Sequence, residues 1–208
     1  MRLAGEATRE RILAAAKKEF SEHGPAGARI NRIATEANAS KERLYAYFPS
    51  KEDLFAAVTE RLVVDVAEDI AVAGSDMATY VGLLFDNYVR NPENARLHDW
   101  LNFSTPGDSG YRPQVLALRA KLDDIRAGQE AGRIDSRWEP AQLLIMLIEI
   151  AKSMAYPKST AGPILRGNRQ ANSRAARRAA AVEAARRLTE PNTDHAQIRR
   201  RRVRGEGT

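Results

Sequence analysis

The chain of 208 residues is long enough for one or two domains, and it contains no cysteine, which excludes disulfides, thiolate metal sites and cysteine nucleophiles. Its net charge of +6 is unevenly distributed, since residues 1–51 carry +4, residues 52–165 carry −6 and residues 166–208 carry +8. A basic head and tail around an acidic middle indicate that only part of the chain meets a polyanion.

No stretch of the sequence is typical of a membrane protein or of a secreted one. The longest apolar run is well short of the roughly 18 residues that a membrane span needs. The first twenty residues are charged and interrupted, unlike a signal peptide. We therefore expect no membrane partner and a cytoplasmic location.

The first fifty residues predict three short helices. Here, as along the rest of the chain, apolar residues recur at spacings of three and four, which predicts an all-α fold. The first helix has Thr8 as its N-cap and ends at His23-Gly24-Pro25. A second short helix and the turn at residues 37–39 lead to a third helix, which Ser40 caps and Pro49 stops.

The remainder of the chain predicts a larger group of helices. Ser50 caps a long fourth helix that runs to about Ala73, with Asp53 in the capping-box position. Further helices are expected at about residues 77–90, 91–103, 111–131, 141–156 and 173–188. After Pro191 the sequence has almost nothing to bury, which predicts a disordered basic tail.

The third helix has an outward face suited to the major groove of DNA. Leu44 and Phe48 share the face that docks on the first two helices. The opposite face and its edges carry Lys41, Glu42, Arg43, Tyr45, Ala46 and Tyr47. Ala46 permits close approach, Arg43 can reach guanine acceptors, and Glu42 can accept from cytosine N4. The alternative is a polar, solvated surface helix.

Helix N-termini beside this face are suited to DNA phosphates. Ser40 and Ser50 mark two such termini, whose free N–H groups attract phosphate. Lys51 lies in the first turn of a helix, where a cation opposes the dipole, and a nearby phosphate would explain its presence. Two short helices joined by a three-residue turn form a helix-turn-helix arrangement, and Asn38 in that turn tolerates a left-handed conformation.

Several motifs occur together over residues 9–58. They are ILAAAKKEFSEHG in the first helix, the frame IA..A..S...LY.YF..K..L, and the start of the fourth helix. In this order and spacing they resemble the DNA-binding domain of the TetR family of bacterial repressors. Two positions depart from that pattern: Asn38 replaces the glycine usual in the turn, and Ala28 replaces a threonine that often caps the second helix.

The resemblance implies an all-helical, homodimeric transcriptional regulator that binds a palindromic double-stranded DNA operator, acts as a repressor and responds to a small-molecule effector that the sequence does not identify. It implies three regions: a helix-turn-helix DNA-binding domain at 1–50, a regulatory and dimerisation domain at 51–190, and the tail at 191–208. It implies base contacts from Lys41, Glu42, Arg43 and Ala46. It implies phosphate contacts from Arg29, Tyr45, Tyr47 and Lys51.

Aromatic and polar residues in the acidic middle are candidates for an effector site. They are Tyr80, Leu84, Asn87, Tyr88, His98 and Asn102. Simple core packing is the alternative for most of them. No glycine-rich phosphate loop, nucleophile elbow or HExxH motif occurs, so we expect no catalytic site, no metal and no cofactor. A helical small-molecule-binding protein, or an enzyme of unknown reaction, is the alternative function.

The helices at 141–156 and 173–188 are candidates for the dimer interface. The first is apolar nearly all round, and the second carries a stripe of Ala181, Ala185 and Leu188. Paired with the same helices of a second chain, they would form a four-helix bundle with Leu147 and Val182 in its interface. Burial within one subunit is the alternative. In the tail, Arg199–Arg204 is expected to be solvated, with DNA phosphates as the alternative contact.

Overall fold

The computed structural model describes residues 2–70, 76–103, 112–156, 167 and 170–191. In this part of the chain it contains no strand and the following helices: α1 (Arg2–Gly27), α2 (Ile30–Glu36), α3 (Lys41–Tyr47), α4 (Lys51–Ile70), α5 (Met77–Arg90), α6 (Pro92–Phe103), α7 (Arg112–Glu130), α8 (Pro140–Ala155) and α9 (Arg174–Thr189). The all-α prediction is confirmed. None of these helices is long and apolar enough to cross a membrane. The predicted tail lies outside the described residues from 192 onward.

A sharp break interrupts α1 where the sequence predicts its end. Gly24 has φ 68° and ψ 172°, and Pro25 follows it. A positive φ favours glycine, since it has no Cβ to clash with the backbone. Close packing also requires glycine at this position, because a Cβ at Gly24 would lie 2.8 Å from the ring of Trp100 in α6. The break therefore both turns the chain toward α2 and admits a tryptophan from another helix.

An N-terminal core joins the first four helices. Its fully buried side chains include Ile12, Ala16, Phe20, Ile33, Leu44, Leu54 and Leu97. Phe48 is 4% exposed, so the predicted docking of Leu44 and Phe48 is confirmed. The core also takes Leu54, Val58 and Leu62 from the first half of α4, which makes α4 part of the domain that carries α3.

A C-terminal core forms between α5, α7, α8 and α9. Its buried side chains include Val81, Leu84, Phe85, Ile125, Leu143, Leu147, Ala181 and Ala185. Gly82 lets α9 approach α5 closely, because a Cβ there would lie 2.9 Å from Nη2 of Arg178 and 3.2 Å from Cγ2 of Val182. The predicted placement of Leu147 in a dimer interface is wrong, since Leu147 is 0% exposed within one subunit. Val182 packs on Gly82 of α5 but is only partly buried, so its place in an interface stays a prediction.

Two helices connect the cores. Val66 of α4 packs against both, and Ile70 belongs to the C-terminal core. In α6, Ala95 is buried in the C-terminal core and Leu97 in the N-terminal core. α4 is therefore not the sole connection between the two cores in the described residues. α6 packs on α1 directly, because its apolar residues point in two directions.

Candidate nucleic-acid interface and effector site

The turn between α2 and α3 is held by its own backbone and by a serine cap. Asn38 has φ 49°, the left-handed conformation predicted for it. The N–H groups of Asn38 and Ala39 donate to Thr35 and Ala34 at 3.1 and 2.9 Å. The hydroxyl of Ser40 accepts from the backbone N–H of Arg43 at 3.1 Å, which confirms the predicted cap. These bonds fix the direction in which α3 leaves the turn.

The outward face of α3 is open to solvent. We call its exposed residues, Lys41, Glu42, Arg43, Tyr45 and Ala46, the recognition face. The ammonium of Lys41 lies 5.9 Å from the centre of the Tyr45 ring. Hydrogen bonds from its own backbone N–H and from the Ser40 hydroxyl lower the pKa of Glu42. Glu42 is therefore an ionised acceptor at neutral pH, as contact with a cytosine amino group requires.

Tyr47 makes a contact within the chain that the resemblance does not imply. It is half-buried, and its hydroxyl donates to the carbonyl of Gly5 in the first turns of α1 at 3.0 Å. The same end of α1 places the guanidinium of Arg9 5.4 Å from the centre of the Phe48 ring. The phenol fastens the start of α1 to the end of α3. A phosphate contact from this hydroxyl would require that bond to break.

The start of α4 lies beside the chain that enters α2. Ser50 accepts from the Asp53 N–H at 2.9 Å and donates to the Asp53 carboxylate at 2.6 Å, so the predicted cap of α4 is present. The ammonium of Lys51 is 3.4 Å from the carbonyl of Ala26. Arg29, three residues further along, is exposed. The two predicted phosphate contacts, Arg29 and Lys51, therefore flank the same α1–α2 connection.

Glu19 caps α2 from a different helix, a role that sequence reasoning missed. Arg29 is the N-cap residue of α2, and its side chain makes no capping bond. Instead the Glu19 carboxylate, which is largely buried, accepts from the Arg29 N–H at 2.9 Å and pairs with Arg32 at 2.8 Å. The signal was present in part: Ala28 leaves the α2 terminus without a local cap, and an acid stands among the apolar residues of α1.

Four of the predicted effector residues lie on α5 and are buried: Tyr80, Leu84, Asn87 and Tyr88. The hydroxyl of Tyr88 lies 2.8 Å from Nδ1 of His98 on α6, so these two are brought together. Asn87 accepts from the amide of Asn94 at 2.9 Å. Asn102 lies in α6, and its side chain is outside the described part of the structure.

Two buried lysines lie in the same region as these residues, and the sequence alone did not predict either of them. The ammonium of Lys121 lies 5.0 Å from the centre of the Tyr80 ring and 2.7 Å from Asp124. The ammonium of Lys152 pairs with Asp99 at 2.9 Å and Glu149 at 2.7 Å. We call Tyr80, Tyr88, His98, Lys121 and Lys152 the polar cluster.

The electrostatics of the polar cluster follow from burial. Burial raises the pKa of Tyr80 and of Tyr88, so both phenols stay protonated. Burial, and then the charge of Lys152, lower the pKa of His98 below its usual value, which favours the neutral imidazole. Burial alone would lower the pKa of Lys152, but hydrogen bonds to Glu149 and Asp99 outweigh it and raise that pKa. The cluster combines neutral hydrogen-bonding rings with a paired cation.

An exposed helix held by a helix-turn-helix, on an all-α scaffold with a second helical domain, defines a DNA-binding transcriptional regulator. Residues 12–58 match the family model of bacterial regulatory proteins of the tetR family. Residues 76–187 match the model of the C-terminal domain of tetracyclin repressor-like proteins. The chain belongs to the TetR family of transcriptional regulators. Members of this family are not enzymes, which decides against the enzymatic alternative.

Individual relatives agree with this assignment. The chain is 37% identical over 148 residues to the HTH-type transcriptional repressor SCO4008 of Streptomyces coelicolor, covering 70% of this chain and 77% of that protein. It is 38% identical to the transcriptional regulator SCO4942 of the same organism, whose crystal structure superposes with a TM-score of 0.71 over 88% of this chain and 98% of that one. A TetR family regulator from Marinobacter aquaeolei VT8, at 19% identity and a TM-score of 0.70 over 92% of this chain and 100% of that one, shares the fold.

Proposed function

We propose that this protein is an effector-responsive transcriptional repressor that binds a palindromic operator as a homodimer. The recognition face carries this proposal: its polar side chains are exposed, while Leu44 on the opposite side is fully buried. A helix anchored in this way can enter a major groove without losing its own packing. Acting on chromosomal DNA places the protein in the cytoplasm. SCO4008, which is similar over 77% of its length, is named as a repressor.

The recognition face and its neighbours divide into two kinds of contact. Bases are contacted by Lys41, Glu42, Arg43 and Ala46, whose side chains leave the outward face of α3. Phosphates are contacted by Arg29, Tyr45 and Lys51 at the edges. Base contacts give sequence preference, and phosphate contacts give affinity that depends on salt. Tyr47 acts indirectly, through its bond to Gly5.

The homodimer forms through the outward faces of α8 and α9. Ile145 of α8 is 62% exposed, more than any other large apolar side chain in the described residues. α9 exposes small side chains at Ala175, Ala179 and Ala180, which allow a partner helix to approach closely. An exposed isoleucine on α8 and exposed alanines on α9 suit a four-helix bundle with a second copy.

The effector binds beside the polar cluster. Tyr80, Tyr88 and His98 offer hydroxyl and imidazole groups beside the apolar side chains of the C-terminal core, a composition typical of small-molecule sites. The effector acts only by unequal affinity for the DNA-bound and free conformations. A coupling free energy of about 1–3 kcal/mol weakens the operator complex about 5–150-fold, and DNA weakens effector binding by the same factor.

A binding assay on the protein's own upstream DNA tests this function. Purified protein is titrated against a labelled fragment upstream of its own coding region and against a scrambled fragment, with fluorescence anisotropy as the readout. We expect tight binding to the first only, two subunits per site by light scattering, and lower expression of a reporter placed behind that fragment. Equal affinity for both fragments, repeated with DNA selected from random sequence, would refute specific operator binding.

A further inference from the structure

Three successive residues of α6 contact three different helices. His98 meets Tyr88 of α5, Asp99 pairs with Lys152 of α8, and Trp100 lies against Gly24 of α1. Consecutive residues of an α-helix point about 100° apart, so one turn of helix faces three neighbours. This turn therefore lies where the C-terminal core meets the N-terminal one.

The contact with α8 is an ion pair between a buried lysine and a carboxylate whose side chain is 33% exposed. Lys152 is 9% exposed, and its ammonium lies 2.9 Å from the Asp99 carboxylate and 2.7 Å from that of Glu149. Glu149 is on the same helix as Lys152, three residues away, so only the bond to Asp99 crosses to another helix. Separating Asp99 from Lys152 is costly because the buried ammonium then loses one of its two carboxylate partners. The pair therefore resists sliding of α6 along α8.

The contact with α1 lies at the break that leads into the helix-turn-helix. A Cβ on Gly24 would lie 2.8–2.9 Å from three atoms of the Trp100 ring, so the ring rests against the bare backbone. Five residues later, Arg29 begins α2. Trp100 is 37% exposed, but toward the backbone the ring has no room to move, so a rotation of α6 that presses the ring onto Gly24 displaces the segment from which α2 starts.

We infer that Asp99, Lys152 and Trp100 are positioning residues that set the spacing between the two operator half-sites the dimer accepts. Through them α8, a helix of the proposed dimer interface, is linked to α6 and then to the chain that carries α2 and α3. This inference rests on the proposed function, since spacing has a meaning only for two DNA-binding domains on one operator. The link narrows the range of distances and angles between the two recognition helices.

Operators with altered spacing test the inference. The operator selected from random DNA is compared with versions in which one or two central base pairs are inserted or removed. Each base pair rotates one half-site against the other by about a tenth of a turn. For the wild-type dimer we expect much weaker binding to the altered versions. The quantity compared between variants is a ratio of dissociation constants: that for an operator of altered spacing divided by that for the selected operator.

Two variants that each remove one negative charge distinguish loss of the contact between α6 and α8 from a simple change in net charge. Asp99→Asn removes the charge that attracts Lys152 across the two helices and leaves Lys152 paired with Glu149, whereas Glu149→Gln removes the charge of the partner within α8 and leaves Asp99. We expect Asp99→Asn to reduce the ratio at least about fivefold, the lower end of typical coupling between sites. Glu149→Gln is expected to keep the wild-type ratio. Trp100→Leu, which acts at the other end of α6, is expected to reduce it as Asp99→Asn does.

Thermal unfolding shows which variants are folded, and general destabilisation would lower affinity on every operator without changing the ratio. If Asp99→Asn does not fold, Trp100→Leu decides. A wild-type ratio in both Asp99→Asn and Trp100→Leu would overturn the inference, and so would an equal reduction in Asp99→Asn and Glu149→Gln. A wild-type dimer that binds all spacings equally contradicts the proposed two-site operator, and that result is visible without any variant.

Discussion

The two functional regions of this chain are built in opposite ways. The proposed DNA contacts all lie between residues 29 and 51, on neighbouring helices whose ends are capped by Ser40 and Ser50. The polar cluster is drawn from α5, α6, α7 and α8, with members as far apart as Tyr80 and Lys152. A local motif fixes the first region, and tertiary packing alone fixes the second.

The charges of the two regions differ in the same way. Lys41, Glu42 and Arg43 are exposed. Ion pairs at such positions contribute little to stability, and these side chains are accessible to DNA. Lys152 and Lys121 are buried and paired, where loss of one partner leaves a desolvated charge. We therefore expect substitutions in the recognition face to change binding, and substitutions around the polar cluster to change stability.

The largest expected effect comes from a charge in the C-terminal core. Leu147→Glu buries a carboxylate at a fully enclosed position and should destabilise the protein by about 4 kcal/mol or more. Ile145→Glu, two residues earlier but 62% exposed within the subunit, should change the intrinsic stability of the single folded subunit by about 0.5 kcal/mol or less. Denaturant unfolding measures both.

The same pair separates core from interface. Ile145→Glu should produce folded monomers in light scattering, with loss of specific operator binding, because one half-site has too few contacts. Equal stability of the two variants would contradict the placement of Leu147. A fully dimeric Ile145→Glu would place the interface elsewhere.

The next largest effect concerns base recognition. Arg43→Ala should weaken binding to the specific operator by about 1–3 kcal/mol and relax the preference at one base pair. Its free energy of unfolding should be unchanged, since the side chain is exposed. Anisotropy titrations on operator and on random DNA measure this. Equal loss on both DNAs would assign Arg43 to the phosphates.

A smaller effect depends on pH and belongs to the polar cluster. The pKa of His98 is lowered by burial and by Lys152, while Glu149 and Asp99 oppose the shift. Its neutral form is therefore the one that the folded protein favours. The stability it contributes is present above the unfolded pKa of about 6.5 and is lost as pH falls from there toward the folded pKa.

Denaturant unfolding between pH 7.5 and 5 measures this effect. We expect the free energy of unfolding of the wild type to fall faster than that of His98→Gln, by at most about 1.4 kcal/mol per pH unit. The difference between the two proteins isolates His98 from the carboxylates that titrate in the same range. Parallel pH dependence would show that His98 is not held neutral in the fold.

The smallest effect is expected from a phosphate contact. Lys51→Ala should weaken binding to all DNA sequences alike and reduce the slope of log affinity against log salt by about 1. Glu52→Ala, at the next and exposed position, is the matched control and should not reduce the slope. An unchanged slope in Lys51→Ala would remove this lysine from the interface and leave its contact with Ala26 as its role.

Local signals in the sequence predicted most of the recognition region. The caps by Ser40 and Ser50 and the left-handed Asn38 each depend on residues within three positions in the chain. The burial of Leu44 follows from helical periodicity in the same way. Contacts over longer separations were missed: Glu19 caps a helix ten residues away, and Tyr47 bonds Gly5 across 42 residues.

For the C-terminal domain, periodicity predicted that α8 is apolar. It did not predict which neighbour each side of α8 packs against. Leu147 faces its own subunit and Ile145 faces solvent, although both belong to the same hydrophobic run. Tyr88 and His98 were predicted separately as ligand candidates, and their 2.8 Å contact appears only once α5 and α6 pack. The local signal for Lys152 was incomplete, since Glu149 stands three residues before it but its second partner, Asp99, lies on another helix.

Selection of binding sites from random double-stranded DNA by the purified wild-type protein tests the central claim most directly. We predict enrichment of one palindromic sequence, with half-sites centred about 34–36 Å apart or at a multiple of that distance, and protection of both half-sites by one dimer. Repeating the selection with Arg43→Ala should return the same spacing with one symmetric position relaxed. Enrichment of no sequence, or of an asymmetric one bound by a single subunit, would contradict a dimer that recognises DNA through α3.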